Sequence, residues 1–356
     1  MTEPLRVTAL TSGRNMPSTR FRVRQHLPYL ASQGVSVREY APAIAKTAGI
    51  PLWPRTWSPK YVLPLYGLWQ GMKLATRVPG LLASFRSGVV WLQREILPGY
   101  LTLEPLLARP IAFDIDDAIW MARPYGPRTV REIARRSAVV LAGNSYLADW
   151  LSDSARRVRI LPTAIDTDRF HPVSGPKADG ATFVVGWTGI AANYPYLYAI
   201  ETGLRRFLDR CSVAELRIVA EEPPRFREIA PERVRFVRWT PENEASVLRE
   251  MDVGLMPLPD TEWTRGKCSF KMLQYMATGL PVLASPVGLN ADIHRMGEVG
   301  FAPTTDEEWT DALDTLFASE ELRRRMGKVG RRITVERFGI PVIGARIADA
   351  LREAAE

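Results

Sequence analysis

The feature that most limits how this chain can fold is a rhythm of short apolar runs separated by stretches long enough for helices. VTALTS, VSVREY, VVWLQRE, IAFDID, VVLAGN and VRILP fill the first half. A Pro- and Gly-rich stretch, HPVSGPKADGA, follows near residue 175, and the rhythm restarts with TFVVGW, ELRIVA, VRFVRW, VGLMPL and LPVLAS. Strands that alternate with helical segments form parallel sheets, because parallel neighbours need a long crossover and the crossover helices cover the sheet faces. The pattern predicts an α/β chain of two Rossmann-like, doubly wound domains, residues 1–172 and 173–335. A length of 356 residues with 46% hydrophobic content supports two buried cores. Ligands of such domains sit at the carboxyl ends of the strands, so two of them facing one another are expected to define a cleft.

Composition narrows the function classes. Only Cys211 and Cys268 occur, which argues against a disulfide framework or a cysteine zinc site and fits a reducing, cytoplasmic setting. The opening MTEPLRVTAL runs directly into a strand-like segment, so no signal peptide is expected. No apolar run reaches the roughly 18 residues that span a bilayer, and any membrane contact is expected to be peripheral, at the inner face of the plasma membrane. Residues 1–172 hold 23 Lys and Arg against 12 Asp and Glu, a net charge of +11, whereas the remainder carries −3. The basic half is the one expected to meet a phosphate-bearing substrate or an anionic membrane. Nucleic acid is not expected, since the usual binding signatures are absent.

Residues 251–290 carry the sharpest signal. They predict a strand, a polar loop, a helix from about Ser269 to Thr278 and a second strand, with Ser269 as N-cap and Gly279 as the C-terminal stop. Phe270, Leu273 and Ala277 make a packing face, while Lys271 and Gln274 share another. Lys267 and Lys271 flank the positive helix end, where each costs a few tenths of a kcal/mol unless an anion binds there.

Other constellations leave alternatives open. In TSGRNMPSTRFRVRQH, Gly13 lets the chain turn, Ser18 can cap the next helix, Pro28 breaks it and Gly34 closes it. Arg20, Arg22 and Arg24, with Arg94 after the third run, can bind an acceptor phosphate or form a solvated face. FDIDDAIW crowds Asp114, Asp116 and Asp117, so one carboxyl is expected to have a raised pKa and to serve as a base or as a hydrogen-bond partner to a hydroxyl. The same spacing can hold a divalent metal or cap a helix; we favour the non-metal role because the lysines already supply positive charge, and no metal or other cofactor is expected. In VGWTGIAANY, Gly186, Trp187, Thr188 and Gly189 can offer amides to a phosphate or form a tight turn, and after VRFVRW, Trp239 and Thr240 can contact a nucleotide or belong to the core. Between residues 50 and 85, Trp53, Trp57, Lys60, Tyr61, Tyr66, Trp69, Lys73 and Arg77 interleave aromatics with cations, as a membrane-interface segment or a packed insertion would. His26, His171 and His294 are scattered and suggest neither a metal cluster nor a catalytic triad.

Together, PSTRFRVRQHLPYL, AGNSYLADW, LPTAIDTDRFHP and GKCSFKMLQYMATGLPVLASPVGLN resemble the two-domain GT-B glycosyltransferases, close to the family 4 retaining enzymes. The resemblance implies sugar transfer from a nucleotide-diphosphate donor, held by the second domain, to a glycan or lipid-linked acceptor hydroxyl, held by the first, in bacterial surface-polysaccharide or glycolipid assembly. It implies Asp116, Asp117, Lys267 and Lys271 at the reacting centre. It also implies donor contacts from Gly13, Gly186, Trp187, Thr188, Gly189, Trp239, Thr240, Ser269, Phe270 and Gln274, and acceptor contacts from Arg20, Arg22 and Arg94. The family's helix carries two glutamates eight positions apart; here Gln274 matches the second and Gly266 the first. A final helix, from about 336 to 356, is expected to return to the first domain. A non-catalytic nucleotide-sugar or glycan-binding subunit, and an epimerase on the same fold, are the alternatives.

Overall fold

The computed structural model describes residues 3–50, 59–172 and 182–356; the side chains of 59–63 lie outside that description. The chain divides into two compact units, Met1–Ala164 with Gly266–Cys268 and Ile340–Glu356, and Ile165–Arg265 with Ser269–Gly339. The six runs of the first half become β1 (Leu5–Leu10), β2 (Val35–Tyr40), β3 (Val89–Gln93), β4 (Ile111–Ile115), β5 (Val139–Ala142) and β6 (Val158–Ile160). They form one parallel sheet in the order β2-β1-β3-β4-β5-β6. β3, β4 and β5 are buried at every position, as strands covered on both faces must be. On one face Val7, Ala9, Trp91, Ala112 and Leu141 pack with Ile343, Ile347 and Leu351 of the Ile340–Ala355 helix. Those three residues recur at i, i+4 and i+8, so a single helical stripe meets the sheet.

The second unit contains β7 (Phe183–Thr188), β8 (Ala214–Ala220), β9 (Val234–Arg238), β10 (Val253–Met256), β11 (Val282–Ala284) and β12 (Gly300–Phe301). The order β12-β11-β10-β7-β8-β9, all parallel, is the dinucleotide-fold order, in which the sequence of strands reverses between β7 and β10. β12 has no counterpart among the runs read from the sequence, because two residues produce no periodicity. One sheet face packs Val185, Trp187, Leu216 and Leu255 against Phe207 and Trp309, and the other packs Val184, Met256 and Val282 against Met272, Leu273 and Tyr275.

The boundary between units falls at Ala164/Ile165 rather than at 172/173. The Ile165 N–H donates to the Phe338 carbonyl at 2.9 Å, Phe170 is buried in the second unit's core, and Arg331 donates to the carbonyls of Phe170 and Thr167. These contacts hold the segment before the linker to the second unit. The linker itself, residues 173–181, lies outside the described residues. The helix Glu320–Phe338 belongs to the second unit, so the returning segment starts at Ile340 rather than near 336.

Candidate functional site

In the first unit the sheet order reverses between β1 and β3, which directs attention to the loops beyond their carboxyl ends. Gln93, the last residue of β3, was not singled out from the sequence, yet its Oε1 accepts from the Ser12 N–H at 2.9 Å and from the Thr19 hydroxyl at 3.2 Å. It thereby pins the loop that contains Gly13, whose φ of +155° suits glycine. Ser18 is no cap, because the helix Pro17–Arg22 already contains it and Met16 holds the N-cap position. Pro28 lies in the first turn of a separate helix, Leu27–Ser32.

The three closely spaced arginines have separate fates. Arg22 is buried, donates to Asp114 at 2.9 Å and to the Leu161 carbonyl at 2.6 Å, and therefore cannot face an acceptor. Arg24 makes a two-pronged contact with Glu39. Arg20 is half-buried, with its guanidinium 4.8 Å from the centre of the Phe21 ring. Asp114 also accepts from Trp91 Nε1 at 3.2 Å, and burial pushes its carboxyl up despite the Arg22 charge. The raised carboxyl of the acidic run is thus sealed inside the sheet, a structural pair rather than a base.

Asp116 and Asp117 lie beyond the end of β4 and share one partner. Arg94 adopts a left-handed backbone with φ of +60° and donates from Nε to Asp116 at 2.5 Å and from Nη2 to Asp117 at 2.6 Å. Burial acts upward on Asp116, but Arg94, then Arg22 and Lys46, outweigh it and hold that carboxyl below the usual range. Asp116 is a carboxylate in a structural clamp, and a raised-pKa base at this position is not what the geometry provides. Asp117 is more open: its side chain is 22% exposed and Lys267 Nζ lies 3.6 Å from Oδ1. Asn144 caps the helix Ser145–Leu151 and donates to the Lys267 carbonyl at 3.0 Å, which fixes the backbone carrying that lysine. The Cys268 thiol donates to the Asp116 carbonyl at 2.8 Å. A side chain on Gly266 would place Cβ 2.8 Å from the Ala118 backbone nitrogen, so no glutamate fits there without a backbone shift.

In the second unit the residues gather at the reversal between β7 and β10. The Lys271 ammonium lies 4.2 Å from the centre of the buried Trp187 ring. A Cβ on Gly189 would come within 2.4 Å of Lys271 Nζ, so glycine here leaves the lysine room beside the end of β7. Tyr275, which was not singled out from the sequence, accepts the Thr188 N–H at 2.9 Å and ties that strand end to the Phe270–Ala277 helix.

Several expected donor contacts are absorbed by the fold. A Cβ on Gly186 would meet Met251 Sδ at 2.0 Å, so this glycine serves strand packing rather than a phosphate loop. Trp187 is 1% exposed and cannot stack on a base without rearrangement. Phe270 and Trp239 pack, half-buried, against the second core. Thr240 exchanges hydrogen bonds with Asn243 at the turn before the helix Glu244–Arg249. Ser269 occupies the N-cap position as expected, but it is left-handed at φ of +52°, makes no side-chain capping bond, and its buried Oγ has no hydrogen-bond partner. Gln274 is buried and donates to Glu244 at 3.1 Å, while Arg169 lies 3.0 Å from the other Glu244 oxygen. The helix is buried on all sides from Met272 to Ala277, so Lys271 and Gln274 do not share an open face.

Among the described residues no group of three or more His, Cys, Asp and Glu is placed to hold a metal. No described helix is long and apolar enough to cross a membrane. Of the aromatic and basic segment, Trp53 and Trp57 and the side chains of Lys60 and Tyr61 lie outside the described residues. Lys73 and Arg77 are buried, donating to the carbonyls of Lys46 and Thr11, and Trp69 donates to the Ala48 carbonyl. The exposed side chains there are apolar, with Leu68, Leu82 and Phe85 each more than 60% exposed and Met72 and Val78 more than 40%.

Residues 184–319 match the family model described as Glycosyl transferases group 1. No curated protein matches the chain. Among solved structures, sucrose-phosphate synthase from Thermosynechococcus elongatus is similar at a TM-score of 0.70 and 16% identity, covering 98% of both chains. HepE from Anabaena, solved with UDP and glucose, is similar at 0.67 and 12% identity, covering 98% of this chain and 99% of that one. A trehalose-6-phosphate protein from E. coli, solved with UDP-2-fluoro glucose, is similar at 0.63 and 12% identity over the same shares. The fold is that of the two-domain GT-B glycosyltransferases, and the second unit carries the group 1 match.

Proposed function

We propose that this protein is a glycosyltransferase that moves a sugar from a nucleotide-diphosphate donor to an acceptor hydroxyl. The observation that carries the reading is the position of Lys271. It lies at the reversal point of a parallel sheet in dinucleotide-fold order, beside Gly189, at the start of a helix. A cation and helix-terminal amides at that point suit a diphosphate. UDP in the HepE structure and UDP-2-fluoro glucose in the trehalose-6-phosphate protein structure agree with this ligand class.

In the transfer, the bond between the anomeric carbon and the diphosphate oxygen breaks as the acceptor oxygen bonds to that carbon, and the acceptor proton leaves to a phosphate oxygen. Lys271 stabilises the charge that develops on the diphosphate. The open carboxylate Asp117, set by Arg94 and Lys267, polarises or positions a sugar hydroxyl, while Asp116 holds the clamp. We infer retention of configuration from the resemblance to the family 4 retaining enzymes, and action without a metal because Lys271 supplies positive charge where the diphosphate would lie. The setting we infer is bacterial surface-glycan assembly on a lipid-linked acceptor, supported by the exposed apolar side chains of residues 66–85.

Incubation with UDP-, GDP-, dTDP- and CMP-sugars, with EDTA present, tests the reading. We expect donor cleavage to nucleoside diphosphate, or to CMP for that sugar, and an Asp117→Asn variant slower by about 10² or more at unchanged donor affinity. Tight binding without turnover makes the protein a nucleotide-sugar-binding subunit, the reading that the closed space at Gly266 favours. Turnover of the sugar without an acceptor or hydrolysis makes it an epimerase.

A further inference from the structure

The cations buried near the carboxyl end of β1 have no role in the reaction as described. Arg77 is 7% exposed, and its described hydrogen bond runs to a single acceptor, the Thr11 carbonyl. A guanidinium carries five N–H donors, and burying one without a carboxylate is costly. Among the described residues no carboxylate lies within ion-pairing distance of Arg77 or Arg14. Lys46 and Lys73 are buried nearby in the same unit. Lys46 Nζ is 3.4 Å from Glu95, and Lys73 Nζ donates to the Lys46 carbonyl at 3.0 Å. The other acid near Arg77, Glu104, is committed to the backbone N–H groups of Ile96 and Thr102 and to the Thr102 hydroxyl. The consequence shows in the cations: burial lowers Arg77 to about 10 and Lys46 to about 8, and the neighbouring glutamates do not restore either.

Arg77 lines a cavity of about 260 Å³ together with Arg14, Tyr40, Thr76 and the apolar wall of Leu10 and Pro79. Arg14 and Tyr40 continue into an adjoining cavity of about 430 Å³. The adjoining cavity is also lined by Arg24 and Glu39, which are paired with each other, so the combined space, large enough for a phosphorylated monosaccharide, offers Arg77 and Arg14 as guanidiniums without a carboxylate partner, with a hydroxyl and a phenol around one apolar wall.

We infer that this cavity binds the phosphate group of the sugar acceptor, with Arg77 as the buried anchor and Arg14 as the open arm. This deepens the proposed function and rests on it for the word acceptor, but the anion site stands on the first unit alone. A phosphate ester there gains charge-assisted hydrogen bonds from a buried guanidinium, whose planar fork can grip two phosphate oxygens at once. Arg14 and Arg77 take this role in place of Arg22 and Arg94, which are committed to Asp114, Asp116 and Asp117.

The test is calorimetric titration of the full chain with inorganic phosphate, a hexose monophosphate, a long-chain alkyl phosphate and an unphosphorylated hexose. We expect saturable binding of inorganic phosphate and of at least one ester, none of the bare hexose, and affinity that falls with salt. The better ester shows whether a sugar or a lipid carries the phosphate. Arg14→Ala, an exposed site, and Arg77→Lys should each weaken phosphate binding about tenfold or more while leaving nucleoside-diphosphate affinity unchanged. If Arg77→Lys fails to fold, Arg14→Ala decides. No saturable phosphate binding, or binding unaltered in the folded variants, overturns the site. Loss of nucleoside-diphosphate binding by the wild-type chain would instead strike the donor reading and leave the anion site intact.

Discussion

Arg20 and Arg22 stand two positions apart and look alike in sequence, yet one lies against Phe21 near solvent and the other is a buried partner of Asp114. Sequence spacing shows which residues share a helix face but not which face meets an acidic side chain contributed 92 residues later. His26, next to this pair, makes the difference measurable. Burial and the Arg22 charge lower its pKa from 6.5 to about 3. The neutral ring is therefore favoured in the fold, and its contribution is complete above the unfolded value. As pH falls through 6.5 the unfolded chain takes up the proton first, and stability is lost progressively until pH reaches about 3. At roughly 1.4 kcal/mol per unit, moving from pH 7 to 5 should cost about 2 kcal/mol from this residue. Denaturant unfolding at both pH values checks it: His26→Leu should show a smaller loss than wild type, and equal losses would remove His26 as the cause.

At the scale of elements, the helix Phe270–Ala277 shows what the sequence could and could not reveal. Its end was legible, because Gly279 adopts φ of +76° and the N–H groups of Gly279 and Leu280 return to the carbonyls of Met276 and Tyr275, a Schellman closure. The position of its start was legible too, but not its conformation: Ser269 at the N-cap takes a left-handed backbone without a side-chain capping bond. The preceding tripeptide Gly266–Cys268 belongs to the first unit, where Gly266 lies against Ala118, and no local rule anticipates that. This contact explains why the position matching the family's first glutamate carries none. Restoring it should fail: Gly266→Glu is expected to destabilise the fold by about 1–3 kcal/mol, the usual range for overpacking, without raising donor affinity. Unfolding curves and donor titration of this variant check it, and a stable variant with tighter donor binding would show that the space is not closed.

For the whole molecule, the two-sheet architecture was readable because buried parallel strands give nearly continuous apolar runs, and only β12 was too short to register. The charge asymmetry was read less well. The first half carries +11, but Arg22, Lys46, Lys73 and Arg77 are buried, so net charge does not map the surface. A membrane contact through residues 66–85 is accordingly expected to be apolar, resting on Leu68, Met72, Leu82 and Phe85 rather than on Lys73 and Arg77. Vesicle co-sedimentation should show binding that persists at high salt and drops in a Leu68→Ser, Leu82→Ser, Phe85→Ser variant; release by salt alone would return the contact to electrostatics. The second unit is proposed to hold a nucleoside diphosphate at Lys271. Calorimetric titration of wild type and Lys271→Ala with UDP, GDP, dTDP and CMP tests it most directly. One nucleoside diphosphate is expected to bind the wild-type chain and to bind a folded Lys271→Ala variant at least tenfold more weakly, whereas equal affinity in the two proteins would remove Lys271 from the donor site.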